Sequence, residues 1–533
     1  GGKDNQNYGY AGSIAGGFAN YVGSLSFATV GGGNVNSARG YATVIAGGQR
    51  NSVNGSWGVV GGGRDNTLHR NGNSSVIAGG ALNVVDAPFS VVSGGSRNTV
   101  ASGSDASAVG GGSLNAVNAQ FASVAGGQGN NVRGASGAVG GGRRNNVDAA
   151  FGVIAGGSSN DNLGVASVVG GGFHNTAASS SYAVIGGGHF NYNNGSAATV
   201  AGGYGNFVAP SSSYASIGGG VDNSVRGNAT VIGGGAGNFA NSSWGVVGGG
   251  RNQYVNSPYG TIGGGHNNYV AGYGSTISGG TYVSVYGLWS TVAGGHDVHV
   301  SGVSSTVGGG QFQHVYRPLS TIGGGDSNYI YGYGGTIAGG RNISVYGSYG
   351  TVAGGRNQYL YGVYGSIGGG GYNFNYGYAA TVAGGRNNLV GTSYGTIGGG
   401  WSNSAYEYAS VVSGGESNTA YGSCGTVSGG TRNRVYYPYG VVAGGSTNFN
   451  VGFGGVIAGG QSNYIYDSYG VVGGGRSNTA YGTDTVVAGG TYNRNYGERG
   501  VVGGGSYNAI NAIAATVVGG DFNTAAGAWS SVG

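Results

Sequence analysis

A glycine tag that recurs along the whole chain is the feature that most constrains the fold. Pairs or triplets of glycine end at Gly2, Gly17 and Gly33, and from Gly220 to Gly520 one tag ends every 15 residues. Five of the earlier intervals are 16 or 17 residues long, which we interpret as insertions of one or two residues in turns. Such a period is typical of repeat proteins in which each coil packs on its neighbours.

The residue types inside the repeat predict two short strands. We number each unit from the residue after the tag, so that the last two glycines are positions 14 and 15. Position 12 is Val or Ile throughout, position 3 is usually Asn, and position 5 is usually Val, Ile, Leu or Ala. Positions 3 and 5, and positions 10, 12 and 14, are spaced by two, which predicts strands with one face of small or apolar side chains. Gly, Ser, Asp and Pro at positions 7 and 8 predict one turn, and the glycine tag predicts the other.

The predicted fold is all-β: a parallel β-solenoid, or β-roll, of about 35 stacked 15-residue coils with two short strands per coil. Residues 1–220 form irregular coils of 15 to 17 residues in this prediction, and residues 221–533 form strict, Tyr-rich coils of one continuous rod. We expect the Asn side chains at position 3 to form a ladder in which each amide donates to one neighbour and accepts from the other. The Val and Ile side chains at position 12 would supply the apolar burial.

Composition excludes several classes of protein. The chain has 132 Gly among 533 residues and only 7% charged residues, which fits no ordinary enzyme. Glycine does not recur every third residue, so the chain is not collagen, and its Val, Ile and Tyr content argues against disorder. A net charge of +5 over 533 residues is too small to predict a nucleic-acid-binding surface. No apolar window is long enough to span a membrane, and one cysteine excludes a framework of intrachain disulfides.

Two outward columns are candidate partner-binding surfaces. Position 6 carries a tyrosine ladder, for which two interpretations stay open: ring stacking that stabilises the solenoid, or an aromatic surface for glycans or partner molecules. Position 11 carries threonine beside small residues at positions 13 to 15, which predicts a flat face. Three interpretations stay open for it: packing against identical chains, an ordinary solvated strand surface or, less strongly, matching ordered water. The residues of these two columns are Tyr286, Tyr316, Tyr331, Tyr346, Tyr361 and Tyr376, and Thr261, Thr276, Thr291, Thr306, Thr321 and Thr336.

The sequence offers little that would carry chemistry. No recurring carboxylate pair or Ser/His/Asp set is present, so we expect neither catalysis nor a cofactor. His296, His299 and His314 are low-ranking metal candidates, because stacking would bring the rings of His299 and His314 to about 5 Å from each other. Candidate glycosylation sequons begin at Asn54, Asn73, Asn194, Asn228, Asn241 and Asn342.

One repeat illustrates a resemblance to a known family. The segment Gly414-Gly-Glu-Ser-Asn-Thr-Ala-Tyr-Gly-Ser-Cys-Gly-Thr-Val-Ser-Gly-Gly430 resembles the head repeats of YadA-like trimeric autotransporter adhesins and related tail-fibre proteins. That resemblance implies a trimeric β-roll that holds an adhesive surface away from a cell or virion. The segment Ala271-Gly-Tyr-Gly-Ser-Thr276 is similar to the repeat of bacterial ice-nucleation proteins.

These features lead to three functional hypotheses. The first is an extracellular or cell-surface structural protein, not an enzyme, that associates with itself laterally or end to end as a filament or adhesin shaft. The second is a virus or phage tail fibre whose tyrosines recognise host glycans. The third, a minor one, is an ice-binding protein.

Overall fold

The computed structural model describes residues 1–25 and 27–533, which form strands and turns and contain no helix. The chain falls into two compact units, Gly1–Val270 and Ala271–Gly533. Within each unit the strands alternate between two parallel sheets, one built from positions 4 and 5 and the other from positions 11 and 12. The described residues contain 70 strands, two for each coil. The prediction of an all-β parallel solenoid is confirmed.

The strand bounds follow the repeat. In the irregular coils the first sheet contains Gln6–Asn7, Tyr21–Val22, Ser37–Ala38, Ser52–Val53, Thr67–Leu68, Val84–Val85, Thr99–Val100, Ala116–Val117, Asn131–Val132, Asn146–Val147, Asp161–Asn162, Thr176–Ala177, Tyr192–Asn193 and Phe207–Val208. The second sheet there contains Ser13–Ile14, Thr29–Val30, Val44–Ile45, Val59–Val60, Val76–Ile77, Val91–Val92, Ala108–Val109, Ser123–Val124, Ala138–Val139, Val153–Ile154, Val168–Val169, Val184–Ile185, Thr199–Val200 and Ser216–Ile217. From Ser224–Val225 and Val231–Ile232 onward the bounds repeat every 15 residues to Thr524–Ala525 and Ser531–Val532. Four first-sheet strands are longer, namely His296–Val300, Gln311–Val315, Arg341–Val345 and Arg356–Leu360.

Equivalent positions of successive coils pair directly with each other. Thr291 pairs with Thr306 in one sheet of the second unit, and His299 pairs with His314 in the other. A third column of parallel bridges joins the residues at position 1, as between Gln49 and Arg64 in the first unit. The sequence repeat therefore becomes columns of like side chains along each unit, as expected for a solenoid.

The interior of each coil is thin and is filled from positions 3, 5, 10 and 12. Ile262, Ile277 and Ile322 at position 12 are 0% exposed, as is Val285 at position 5. Burying such a side chain contributes about 1.5–3 kcal/mol, so many coils together supply the hydrophobic stabilisation. The prediction that position 14 shares this inner face is wrong. The strand ends at position 12, and at Gly324 a Cβ would point into open space.

The turns explain why glycine recurs at position 15, and they also place non-glycine residues at position 9 in a left-handed conformation. The glycine at position 15 has a positive φ, 102° at Gly325, and a Cβ there would meet the carbonyl oxygen of Gly340 in the next coil. Both roles predicted for the tag are therefore confirmed at this position. Position 9 also has a positive φ, although it carries bulky residues such as Trp289 and Tyr349, with φ of 55° and 56°. That conformation costs roughly 1–2 kcal/mol for a residue other than glycine, and the stacked coils on either side hold it.

The asparagine ladder at position 3 is confirmed, but its hydrogen bonds differ from the prediction. Asn418 Oδ1 accepts the backbone N–H of Asn433 in the next coil at 2.9 Å. Asn418 Nδ2 donates to the carbonyl oxygens of Gly414 and Gly430, both at 2.9 Å, instead of to the next amide. Each side chain thus binds carbonyl groups of the glycine turn and accepts the buried N–H of the next coil. In some coils the amide also donates to the neighbouring amide as predicted, as Asn160 Nδ2 does to Asn145 Oδ1 at 3.1 Å.

The longer strands occur where position 3 loses its asparagine. Val298 and Ile343 occupy that position in the first strand of each long pair, and Gln313 and Gln358 occupy it in the second. An aliphatic side chain has no oxygen to take the N–H of the next coil. Where the next coil carries Gln at position 3, the backbone pairs directly, Val298 with Gln313 and Ile343 with Gln358, and the strand runs on from position 1 to position 5. At Val283, which is followed by Val298, the strand is only Ser284–Val285, so a missing oxygen alone does not lengthen a strand.

Candidate functional site

The first candidate surface, which we call the threonine face, consists of the threonines at position 11 with the small residues at positions 13 and 14. In the second unit the threonines pair in register: Thr276 with Thr291, Thr306 with Thr321, and Thr321 with Thr336. The side chains of Thr291, Thr306 and Thr321 are exposed. Position 13 beside them holds Gly, Ala or Ser, so the sheet presents one row of hydroxyl and methyl groups and little other relief.

Three threonines of the set are less exposed than the others. Thr261 lies in the first unit, where it pairs with Val246, and is half-buried, as are Thr276 and Thr336 in the second unit. Because position 13 carries no second threonine, the hydroxyl row is single. Packing against identical chains and ice binding both stay predictions for this face.

A column of bare glycine borders the threonine face. Position 14 is Gly in every tag. At most of these glycines an added Cβ would have nothing within 4 Å, and the nearest contact, at Gly16, is 3.4 Å away. In most tags φ at position 14 also lies outside the left-handed region. Contacts within the chain therefore do not require glycine there, in contrast to position 15.

The tyrosine ladder is present as predicted over much of its length. From Tyr316 to Tyr376 five rings stack with centroid distances of 4.9, 4.8, 4.6 and 4.7 Å and interplanar angles of 11° or less. Tyr286 contacts the ring of His299 at 5.2 Å. The six tyrosines named in the sequence analysis are between 38% and 48% exposed, so their edges and hydroxyls reach solvent. Offset stacking of this kind is favourable between aromatic rings.

Stacking also changes the acidity of the tyrosines. Burial raises the pKa of Tyr331 above its ordinary value, and the phenols of Tyr316 and Tyr346 on either side raise it further. The pKa of Tyr361 is raised in the same way, by burial first and then by Tyr346 and Tyr376. A phenolate in the ladder is disfavoured because it loses hydration and faces other phenols.

Two further aromatic columns are present. The one at position 4 was missed by the sequence analysis, whereas the one on the turn contains the tyrosines that recur at position 9 of the repeat, namely Tyr259, Tyr349, Tyr364, Tyr394, Tyr439 and Tyr469. Position 4 carries stacked pairs, such as Tyr359 with Phe374 at 5.0 Å. On the turn, residues at positions 8 and 9 pack edge to face, as Tyr378 does with Tyr394 at 5.7 Å. Counting aromatic residues at every repeat position would have identified the column at position 4 and the partners at position 8 in the turn column.

The histidine candidates lie in the aromatic columns of the second unit. The rings of His299 and His314 are 6.1 Å apart, somewhat farther than expected, and His314 stacks on Tyr329 at 4.9 Å. His299 Nε2 lies 2.8 Å from Ser301 Oγ. Burial lowers the pKa of both histidines, and at His314 the neighbouring His299 lowers it further.

His296 occupies position 1 of the same coil, where its ring contacts Tyr282 at 6.0 Å and Phe312 at 5.9 Å. The structure does not group it with the other two into a metal site. Among residues 1–25 and 27–533 no set of three or more His, Cys, Asp or Glu side chains is arranged to hold a metal ion.

The sequons lie at accessible positions. Asn73, Asn228 and Asn241 are exposed, and Asn54, Asn194 and Asn342 are half-buried. Several of the side chains already form hydrogen bonds: Asn342 Nδ2 donates to Asn357 Oδ1 at 2.7 Å, and Asn73 Oδ1 accepts the N–H of Ser56 at 2.8 Å. Glycosylation at these sites stays a prediction.

Comparison with known proteins gives no relative: no family model and no curated protein matches this chain. In the part of the chain that the structure describes, no helix has both the length and the apolar character of a membrane span. The candidate surfaces therefore rest on geometry alone.

Proposed function

We propose that this chain is a structural protein, not an enzyme, and that the threonine face associates with the same face of a second copy. We further propose an extracellular or cell-surface location, where such association would form a filament or an adhesin shaft. The location rests on the resemblance of the repeats to adhesin heads. The association rests on the bare glycine column.

The glycine column supports close approach by another chain. Position 14 lies in the glycine turn, two residues beyond the strand, and is half-buried in most coils. Glycine there costs conformational entropy and is kept where a strained φ or a nearby backbone requires it. Position 14 keeps glycine in every tag although, in most of them, neither φ nor a neighbour in the chain demands it. A backbone that packs against this column from outside would be excluded by any side chain there.

The threonine face has the chemistry of a self-complementary surface. It carries neither formal charge nor large side chains from Thr276 to Thr351 at positions 11, 13 and 14, so two copies meet without like-charge repulsion. Flat surfaces of β-branched and small residues pack closely when sheets face each other. A second copy is therefore the occupant that fits best.

Sedimentation velocity over a range of protein concentrations tests the association. The wild-type chain is expected to form oligomers as concentration rises. Thr306→Arg together with Thr321→Arg would place two charges in a dry contact and is expected to weaken association about tenfold or more. Ser404→Arg is the matched control, because Ser404 lies at position 4 of the opposite sheet, where Arg434 occurs naturally. Equal association of the double variant and the wild type would contradict the proposal.

A second candidate function is recognition of host glycans by the tyrosine ladder, as in a virus or phage tail fibre. It is favoured by the exposed edges of the stacked rings from Tyr316 to Tyr376. Glycan-array binding that disappears when Tyr331, Tyr346 and Tyr361 are replaced by Ser would support it. An array without any bound glycan would count against it.

A further inference from the structure

The tyrosine ladder of the second unit is interrupted at three coils, and the interruptions differ. Position 6 is Ser301, Gly391 and Val451 in those coils, each with tyrosine at position 6 in the coils before and after it. Two interruptions are covered by neighbouring rings. The ring of His299 lies beside Ser301, within 5.2 Å of Tyr286 and 6.1 Å of Tyr316. At Gly391 an added Cβ would lie 3.3 Å from Tyr406 Cδ1, so the ring of Tyr406 covers that coil.

The interruption at Val451 is covered on one side only, where the ring of Phe449 at position 4 of the same coil stacks on Tyr436 at 6.3 Å. Tyr436 and Tyr466 flank it two coils apart, about 10 Å at the usual spacing of strands, whereas complete parts of the ladder have a ring midway. Tyr466 stacks on Tyr481 at 4.4 Å on one side. On the other side lies a cleft of about 480 Å³, lined by Tyr437, Val451, Phe453, Tyr466, Asp467 and Ser468. The cleft therefore opens beside Val451 on the Tyr466 side of the gap, and Tyr436 does not line it.

Phe453 forms the floor of the cleft and is held by its neighbours. Its ring packs edge to face against Tyr439 at 5.4 Å and Tyr469 at 5.7 Å. Position 7 of this coil is Gly452, between the larger Tyr437 and Asp467 in the adjacent coils, and so it adds no side chain to the opening. The aromatic walls are thus supported by the fold and do not need a ligand to order them.

The charge around the cleft favours a cation. Asp467 Oδ1 accepts the N–H of Ser468 at 2.7 Å, and the carboxylate forms no ion pair with any residue that the structure describes. Positions 6 to 9 carry no Lys or Arg between Arg317 and Arg499, but they carry Glu407, Asp467 and Asp484. Asp467 is the only charged residue that lines the cleft. Arg434 lies on the Tyr436 side of the gap, where its guanidinium carbon is 5.2 Å from the ring centroid of Phe449 and its Nη1 donates to Tyr436 Oη at 3.4 Å.

We propose that the cleft at Val451 binds a guanidinium group, which takes the place of the missing ring. A guanidinium is planar, stacks on aromatic faces, and pairs with a carboxylate through two parallel N–H donors. It would stack on Tyr466 and donate to Asp467. Arginine supplies 19 of the 20 basic side chains of this chain, so a second copy is one source and another protein is the other. This proposal does not depend on the threonine face.

Ligand-observed NMR on the full chain tests the proposal with Nα-acetyl-arginine amide as the probe. We expect roughly millimolar binding, and about tenfold weaker binding of Nα-acetyl-citrulline amide, its neutral isostere. Asp467→Asn is expected to weaken probe binding about tenfold, and Val451→Tyr to abolish it by completing the ladder. Tyrosine is the usual residue at position 6 of this region, so Val451→Tyr is expected to fold, which circular dichroism checks.

Glu407→Gln is the matched control, because it removes a carboxylate from the same edge outside the cleft and should leave binding unchanged. Equal binding of the citrulline probe, or binding that survives Val451→Tyr in a folded chain, would overturn the proposal, as would the absence of binding to the wild type. The self-association of Val451→Tyr distinguishes the sources. Weaker association identifies a second copy as the donor of arginine, and unchanged association identifies another protein.

Discussion

At the scale of single residues, Asn418 shows how one side chain holds the glycine turn. It binds the N–H of Asn433 and the carbonyl oxygens of Gly414 and Gly430. The position 3 asparagine therefore connects three stretches of backbone in two coils. No aliphatic residue of the same size can replace these contacts.

Replacing Asn418 by Ala tests this role. The N–H of Asn433 and the carbonyl oxygen of Gly414 would lose their partner, whereas the carbonyl oxygen of Gly430 still accepts the N–H of Glu416. At about 1–3 kcal/mol for each unsatisfied group, we expect a loss on the order of 2 kcal/mol in local stability. Hydrogen exchange of residues 416–433 measures it. Asn418→Gln is the milder control, since Gln358 Oε1 accepts the N–H of Asn373 at 3.2 Å. A loss below about 0.5 kcal/mol in Asn418→Ala would contradict this account.

The two glycines of one tag should respond differently to alanine. Gly325→Ala places a Cβ against the carbonyl oxygen of Gly340 at a φ of 102°, and we expect the free energy of unfolding to fall by about 2 kcal/mol or more. Gly324→Ala meets nothing within 4 Å, and we expect a change within about 0.5 kcal/mol. Urea unfolding of both variants checks this, and similar losses in both would show that position 14 has a role inside the chain.

At the scale of the strands, acidification should weaken the histidine coils selectively. The pKa values of His299 and His314 are lowered in the folded chain, so the unfolded chain binds protons more readily as pH falls through the ordinary histidine range. Stability of the strands His296–Val300 and Gln311–Val315 is therefore present at neutral pH and decreases below it.

Hydrogen-exchange protection factors at pH 7 and pH 5 measure this effect. We expect lower protection at pH 5 in these two strands and no such change at Phe374–Asn375 and Leu389–Val390, which carry no titratable side chain. Replacing both histidines by Gln should remove the difference. A pH effect that survives in this double variant would assign the titration to other groups.

The strands also show what could be predicted from the sequence. The period determines which residues share a column. The solenoid, the Val and Ile core and the stacked tyrosines could therefore all be predicted from the sequence. The direction of the Asn418 amide could not, because it depends on where the backbone carbonyls of the tag point. The longer strand at Val298 was not predictable either, because it depends on how the backbone pairs where the side-chain oxygen of position 3 is missing.

Prediction from the sequence had similar limits for the candidate surfaces. The column of tyrosines was predicted, but the open cleft at Val451 was not, because its existence depends on whether a neighbouring ring leans into the gap. Tyr406 covers the coil of Gly391, whereas Phe449 covers only the Tyr436 side of the gap at Val451 and leaves the cleft beside Tyr466. The bare glycine column at position 14 could not be predicted either. The sequence has glycine at both positions 14 and 15, and only the structure shows which of the two has a close backbone neighbour.

At the scale of the whole molecule, each unit gains stability from contacts between neighbouring coils, which repeat with nearly the same chemistry. Within residues 1–25 and 27–533, the distinctive surfaces of each unit are columns of equivalent residues from successive coils. The proposed function assigns one column, the glycines at position 14, to contact between copies.

If position 14 serves contact between copies, a side chain added there should weaken association and leave folding unchanged. One measurement tests this most directly. The variant Gly324→Ala, Gly339→Ala and Gly354→Ala adds three methyl groups where the chain itself has room. Sedimentation equilibrium, together with urea unfolding of the same samples, should show self-association weakened about tenfold or more at an unchanged free energy of unfolding. Unchanged association of a folded variant, or a loss of folding stability that accounts for the dissociation, would contradict the central claim.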